Sequence, residues 1–443
     1  MKLLVPTLLC LVAGCTMRPQ GEEAERARAD GFQFARPLAE REIPELSANP
    51  SLEDCVRHAL LASPSLEVEY QKWRATLERI PQVSSQFTTA EVGLSVLTGT
   101  GQPSLLERTN LLAMTDSSFG IVWPEKLAAQ GRAALEKARA AGFHFDQMRG
   151  ELRATVTSAY VDLTLATELQ KLQRENLTLV AATIATLTSR LRTGDANPQD
   201  LVRARVQHDL AENEILTLEA TARQRRAKLN ALLGRTDPDA PLTATMPDRR
   251  PLAFDETRLL EHLRERNPEL KEHTRDVLAA EQVLAAKRQE WIPDLALSAS
   301  LARATQTLGA TLTLPFLRSA AIHGEIAEAK AMLNEAEAYR RKMQSDMARD
   351  AIVELSLWRD ARRQTELFAT TVVPAAERAA RLLRTSYGVG KASFLDLVDA
   401  QRMVIETRRM ALAMRAEEAR SQAELERIAH SHEDPERRDP KQR

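Results

Sequence analysis

Apolar residues recur every three or four positions along four long stretches of the chain, which is the periodicity of helices packed side by side. The stretch from Glu125 to Thr193 contains no proline, and one helix of that length would span about 100 Å at 1.5 Å per residue. Residues 198–233 and 394–428 would form helices that return beside their predecessors. The remaining stretch runs from Ile322 towards Tyr387, and Pro374 removes one backbone donor there, so we expect a break or kink near it.

The period changes from helix to strand between Pro293 and Pro315, where leucine or alanine alternates with small or polar residues. Two strands joined at residues 303–306 would form a hairpin. A vaguer pair is predicted near residues 83–97 and 111–122, joined by a longer loop. This length and alternation suit strands of a membrane barrel. Four strands cannot close a barrel, and an open sheet edge is unstable in lipid. Several protomers would therefore have to combine their strands in one barrel.

The sequence of the turn between the long helices occurs twice, at residues 193–204 and 389–400, with Gly, Asp, Leu, Val and Ala at matching positions. In each copy a glycine ends the incoming helix and Asn or Ser caps the outgoing one, while proline occupies the first helical position of the first copy. The residues concerned are Gly194, Asn197, Pro198, Gly390 and Ser393. Other proline-containing motifs recur in the same order: Ser63-Pro64 as Asn267-Pro268, and Ile80-Pro81 as Ile292-Pro293. The sequence therefore predicts an internal duplication.

The N-terminus reads as a targeting segment, because Lys2 precedes a short apolar run that ends at Val12-Ala13-Gly14-Cys15. The motif resembles a bacterial lipobox, which implies lipidation of Cys15; the alternative is a plain signal peptide with an incidental cysteine. Thr16 in place of Asp then implies sorting to the outer membrane. The predicted organisation is a signal peptide (1–14), a lipidated linker (15–50), a first repeat (51–234), a second linker (235–254), a second repeat (255–429) and a disordered tail (430–443).

Composition excludes several classes of function. Sixteen glycines and 4% aromatic residues are few for compact globular cores, and the net charge of −1 does not favour a nucleic-acid partner. Removal of the signal peptide would leave Cys55 alone, so no disulfide is expected. The histidines lack partners at metal-ligand spacing, and no phosphate loop, nucleophile elbow or zinc-protease motif is present. We therefore expect no enzyme, no metal site and no cofactor.

Together, the lipobox, the doubled helix-strand-strand-helix order and the two turns resemble the outer-membrane efflux protein family typified by TolC. The resemblance covers roughly residues 51–429. It implies a mainly α fold with a small β part: a homotrimer with four strands per protomer in one outer-membrane β-barrel and a periplasmic tunnel of antiparallel coiled-coil helices. It also implies passive export from an inner-membrane pump of the resistance-nodulation-division type through a periplasmic adaptor. The alternative is a periplasmic adaptor or scaffold lipoprotein with helical hairpins and no pore.

The same resemblance gives roles to residues at the turns. The turns would be the periplasmic tips where the adaptor docks. Asp396 and Asp399 would form carboxylate rings at a pore constriction that favours cations, and Tyr387 would bond to Asp200 as a gate latch. Helix capping alone could explain Asp200 and Asp396, which stand three positions after a capping residue. A solvated helix face could explain Asp399, and ordinary packing could explain Tyr387.

Overall fold

The computed structural model describes residues 18–85, 93–96, 109–114, 119–121, 124–194, 196–252, 255–293, 295–301, 306–312 and 314–429. The predicted signal peptide, the lipidation site Cys15 and the predicted tail at 430–443 lie outside the described residues. Both repeated turns are among the described residues, apart from Asp195.

Ten α-helices dominate the described residues. They are α1 (Glu22–Asp30), α2 (Leu52–Ala62), α3 (Pro64–Ser84), α4 (Pro124–Thr193), α5 (Pro198–Leu232), α6 (Glu256–Arg266), α7 (Pro268–Arg288), α8 (Ser319–Leu367), α9 (Val373–Gly388) and α10 (Phe394–Ala429). Among these described helices, none offers a stretch long and apolar enough to cross a membrane. The mainly helical fold predicted from the sequence is confirmed, and α4 is one unbroken helix of 70 residues.

The break expected near Pro374 is confirmed. Helix α8 ends at Leu367, a π-helical turn follows at Phe368–Val372, and α9 begins at Val373. Pro374 has no N–H to donate to the carbonyl four residues earlier, and its ring crowds that carbonyl. The wider π turn is a known way for a helix to absorb such a local mismatch.

Short strands form one antiparallel sheet, from β1 (Gly93–Val96), β2 (Thr109–Met114), β3 (Phe119–Ile121), β4 (Leu295–Leu301) and β5 (Gln306–Leu312). Strands β2 and β3 pair with successive parts of β4, since Met114 faces Ser300 and Phe119 faces Leu297. They therefore lie along β4 as one interrupted strand, and β1 pairs with the other side of β2. Strand β5 pairs with the other side of β4.

The first predicted strand starts later than expected. The prediction began near Val83, but α3 continues through Pro81 to Ser84, and the Ser85 N–H donates to the Pro81 carbonyl at 3.0 Å. Pro81 has no N–H to donate to the Leu77 carbonyl four residues earlier. That carbonyl accepts a hydrogen bond from Arg26 Nη2 at 3.1 Å instead. Strand β1 begins at Gly93.

The chain forms two compact units, and each takes residues from both predicted repeats. The first comprises residues 1–35, 68–146 and 268–344, and the second comprises 36–67, 147–267 and 345–443. All five strands belong to the first unit. In the second unit Cys55 is buried and free, and burial raises the pKa of its thiol to about 12.

Residues 18–35, the first described part of the segment predicted as an N-terminal linker, pack into the first unit. Beyond α1, the rings of Phe32 and Phe34 contact Trp73, Phe145 and Tyr70 in an aromatic cluster with centroid separations of 5.0–6.1 Å. The Tyr70 hydroxyl donates to the Ala29 carbonyl at 3.1 Å. These contacts join residues far apart in sequence, which helical periodicity cannot show.

The segment between the repeats is irregular in the second unit, as a linker should be, but it is held by specific hydrogen bonds. Buried Asn230 donates to the carbonyls of Pro238 and Ala240 at 2.9 and 3.0 Å. The Thr245 N–H donates to the Tyr160 hydroxyl, which donates in turn to the Pro50 carbonyl, both at 3.1 Å. Residues 238–245 of this segment are therefore held in place by specific hydrogen bonds.

Candidate functional site

The first of the repeated turns connects α4 to α5 in the second unit. Gly194 takes a positive φ of 82°, which favours glycine after a helix end. The Asn197 side chain accepts a hydrogen bond from the Gln199 N–H at 3.0 Å, and Pro198 starts the helix. The expected roles of Gly194, Asn197 and Pro198 in the turn are therefore present in the geometry.

The second turn, between α9 and α10, has the same plan with a fuller cap. Gly390 has a φ of 76°. The Ser393 hydroxyl accepts from the Asp396 N–H at 3.1 Å, and the Asp396 carboxylate accepts from the Ser393 N–H at 3.0 Å and from its hydroxyl at 2.7 Å. This reciprocal pair is a capping box. The Ser393 hydroxyl, followed by its backbone N–H, lowers the pKa of Asp396.

The three aspartates of the turns stand in different environments. Asp396 is engaged by its cap, as the capping interpretation expects. Asp200 bonds at the matching position only through its backbone, with its N–H donating to the Asn197 carbonyl at 3.0 Å. Asp399 is exposed one turn beyond Asp396, and among the described residues the structure pairs its carboxylate with no other group. Helix capping therefore accounts for Asp396 and leaves Asp399 without a structural role within the protomer.

An apolar cluster joins the two hairpins near their turns. Leu187 of α4, Ala204 of α5, and Phe394 and Val398 of α10 are buried together. Tyr387 packs against this cluster, and its ring centroid lies 6.3 Å from that of Phe394. No hydrogen bond between Tyr387 and Asp200 occurs within this described protomer. The packing interpretation of Tyr387 matches this geometry, and the latch stays a prediction.

Arg190 is the residue at this site that the sequence analysis missed. Its guanidinium lies over the Tyr387 ring, 4.7 Å from the centroid. Its Nη1 donates to the Tyr387 carbonyl at 3.1 Å and its Nη2 to the Gly388 carbonyl at 2.7 Å. The sequence feature that could have predicted this contact is an arginine four residues before the turn glycine, close enough to the helix end to reach neighbouring carbonyls. The other copy has Ser386 at the matching position. The duplication therefore did not predict a role for Arg190.

A shallow apolar groove lies beside the turns, between α5 and α10. It has a volume of about 290 Å³ and is lined by Val202, Arg203, Val206, Gln207, Phe394, Leu395 and Val398. Val202 is 61% exposed, Val206 52% and Leu395 53%. Apolar side chains with this exposure in one groove mark a surface that a partner can cover.

One group of side chains in the described residues could hold a metal ion, although none was predicted. Ligand atoms of His208, Asp209 and Glu212 on α5 lie within 4.8 Å of one another, and both acids are exposed. Nitrogen and carboxylate oxygen are suitable ligands for a divalent transition metal. The three residues lie within five positions of one helix, and His208 is half-buried.

The fold is similar to that of solved outer-membrane channels. The chain is similar to the outer-membrane channel OprN, with a TM-score of 0.71, 18% identity, and coverage of 90% of this chain and 91% of that one. It is also similar to the outer membrane protein VceC of Vibrio cholerae, with a TM-score of 0.69, 18% identity, and coverage of 85% and 95%.

Sequence comparisons find similarity to efflux proteins as well. Residues 259–429 match the Outer membrane efflux protein family. The chain is 24% identical over 319 residues to the cobalt-zinc-cadmium resistance protein CzcC of Cupriavidus metallidurans, covering 68% of this chain and 72% of that protein. The predicted resemblance to the outer-membrane efflux protein family is therefore confirmed: residues 259–429 match that family, and the fold is similar to that of solved outer-membrane channels.

Proposed function

We propose that this chain is the protomer of an outer-membrane exit duct in a tripartite efflux system, through which solutes pass without energy input from the duct itself. The observation that carries the proposal is the match of residues 259–429 to the efflux family on a chain whose two hairpins end in the same capped turn. The alternative of an adaptor lipoprotein is less well supported, because the matched family and fold are those of channels.

The strands support a trimeric assembly. In the described sheet, β1 and β5 each have a neighbour on one side only. Unpaired backbone groups at those edges could not remain in lipid, so strands of neighbouring protomers would have to complete the pairing. A homotrimer that pools four strands per protomer into one barrel satisfies this requirement, with Cys15 as the lipid anchor in the outer membrane.

The turns would form the periplasmic entrance. In a trimer, Asp396 and Asp399 would supply six carboxylates around a constriction, which favours cations over anions. Asp399 is the stronger candidate because its carboxylate has no partner in the described protomer. The Tyr387 hydroxyl would reach Asp200 in the closed entrance, and a Tyr387→Phe variant that leaves closed-state conductance unchanged would remove that role.

The groove beside the turns would receive a helical tip of the periplasmic adaptor, with the turn residues Gly194, Asn197, Pro198, Gly390 and Ser393 at its end. Val202 and Val206 stand one helical turn apart, which is the spacing that helix-in-groove recognition uses. A Val206→Asp variant should lose co-purification of the adaptor. Leu216→Asp is the matched control, because Leu216 is another exposed apolar residue of α5, 61% exposed against 52% for Val206, and stands ten residues further along the helix.

The cargo proposed for the duct is divalent transition-metal cations, delivered by an inner-membrane pump of the resistance-nodulation-division type. Support comes from the similarity to a cobalt-zinc-cadmium resistance protein and from the free carboxylate of Asp399. Deletion of the chain should sensitise cells to zinc, cobalt and cadmium, and the wild-type chain should restore growth. Unchanged metal tolerance together with sensitivity to organic drugs would contradict the metal cargo and keep the duct.

A further inference from the structure

A basic cavity in the first unit lies between α4, α7 and the residues that precede α1. Its volume is about 550 Å³, and Arg18, Arg132 and Arg139 supply its positive charge. One carboxylate, that of Glu136, also lines it. The walls are otherwise partly apolar, through Ala128, Leu135 and Leu278.

The single acid does not neutralise the cavity. Glu136 is held by Arg139 at 2.5 Å and by Arg275 at 3.1 Å. Arg132 instead donates from Nε to the neutral amide oxygen of Gln282 at 2.8 Å. That bond orients the guanidinium and leaves its charge uncompensated. In the described part of the chain, neither Arg132 nor Arg18 forms an ion pair.

A glycine with a positive φ stands where the N-terminal segment approaches α4. Gly21 has a φ of 94°, and a Cβ there would overlap the Arg139 guanidinium. The segment at residues 18–20 can therefore lie against the arginines of α4 as a wall of the cavity. Since Arg18 carries a charge into this wall, the cavity gathers basic groups from distant parts of the sequence.

The cavity also lies close to the residues that the proposed function places in the membrane. Arg132 stands eight residues after Pro124, the start of α4 beyond β3, which is about 12 Å along a helix. Arg18 follows the predicted lipidation site Cys15 by three residues, which can span at most about 11 Å. Both distances reach from the hydrocarbon into the headgroup layer of a bilayer.

We propose that this cavity binds the phosphodiester headgroup of an anionic phospholipid of the phosphatidylglycerol class. The inference rests on the proposed outer-membrane placement. Arginine forks match phosphate oxygens in geometry and charge, and basic pockets next to membrane-embedded segments are suited to lipid headgroups. The apolar wall favours a lipid over free phosphate, because it can cover the glycerol and the first methylene groups.

The test uses the purified full-length protein in a neutral detergent and isothermal titration with dihexanoyl-phosphatidylglycerol. Saturable binding is expected, and Arg132→Gln should weaken it about tenfold or more. Arg18→Gln should weaken it as well, and this variant leaves every described ion pair of the protein intact. Arg205→Gln, which removes an exposed arginine of α5 in the second unit, is the control and should bind as the wild type does.

Four outcomes would overturn the inference. Equal binding of dihexanoyl-phosphatidylcholine would show that charge is not recognised. Binding of inorganic phosphate with the same affinity would show that the ligand is not a lipid. Wild-type affinity in both arginine variants would place the lipid elsewhere. Absence of binding in a wild-type protein that still conducts would overturn this inference alone, not the proposed function, because binding is measured without transport.

Discussion

Arg190, near the end of α4, stacks its guanidinium on the ring of Tyr387, near the end of α9, with 4.7 Å between Cζ and the ring centroid. The same guanidinium donates to the carbonyls of Tyr387 and Gly388. A cation at the last carbonyls of a helix is favourable because those groups carry partial negative charge. One side chain of the first hairpin thus completes the helix end of the second.

Arg190→Ala should loosen the junction between the hairpins. Charge-assisted hydrogen bonds and a cation–π contact are lost, so we expect about 2 kcal/mol less local stability. Hydrogen exchange of the amides at residues 385–392 would measure this as faster opening. The control is Arg192→Ala, an exposed neighbour without a described partner, and equal exchange in the two variants would contradict the role of Arg190.

Gly390→Ala and Gly388→Ala should have opposite effects on stability. Neither added methyl group would meet another atom within 4 Å, but only Gly390 has a positive φ. Alanine at Gly390 should therefore cost about 1–2 kcal/mol of backbone strain. Alanine at Gly388, inside the end of α9, should gain up to about 1 kcal/mol. Thermal unfolding of the two variants separates the outcomes, and destabilisation of similar size in both would contradict the conformational explanation.

Asp396→Ala and Asp399→Ala should separate helix capping from pore chemistry. The bonds from Ser393 lower the pKa of Asp396, so its contribution to stability is present above the unfolded pKa and is lost as pH falls through the lower folded pKa. Asp396→Ala should therefore weaken the start of α10 at pH 7 and lose this difference in acid. Asp399→Ala should leave stability unchanged at both pH values. Circular dichroism at pH 7 and at pH 3 compares the two, and equal stability loss in both variants would argue against the distinction.

His144 should make the first unit less stable at alkaline pH. Its Nδ1 lies 3.1 Å from a Glu272 oxygen and its Nε2 lies 3.7 Å from a Glu69 oxygen. The hydrogen bond to Glu272 raises the pKa of His144. The added stability is thus fully present below the unfolded pKa of about 6.5 and is lost as pH rises through the higher folded pKa.

The corresponding measurement compares melting temperatures at pH 5.5 and pH 8.5. His144→Gln should lower the melting temperature at pH 5.5 and have a smaller effect at pH 8.5. His58→Gln, whose ring contacts the Pro44 carbonyl rather than a carboxylate, is the control. A decrease of equal size at both pH values would mean that the charge of His144 is not involved.

The sequence predicted what local rules decide. The period of apolar residues gave the helices, Pro374 gave the break before α9, and glycine with a capping residue gave both turns. Arg190 on Tyr387 and the aromatic cluster around Trp73 were missed, because they join residues far apart in the chain and leave no local pattern. Comparison of the two copies could not identify Arg190, because that comparison finds only residues that the copies share, and the second copy has Ser386 at this position. The predicted roles of Asp396, Asp399 and Tyr387 depend on neighbouring protomers and remain predictions.

In a trimer, the chain would form a duct with a carboxylate-lined entrance at the repeated turns. Planar-bilayer recording of the purified full-length protein, as the wild type and as the Asp396→Ala, Asp399→Ala double variant, tests this arrangement. We expect cation-selective channels whose reversal potential in a salt gradient moves towards zero in the double variant. Absence of channels in the wild-type protein, or the same reversal potential in both proteins, would contradict it.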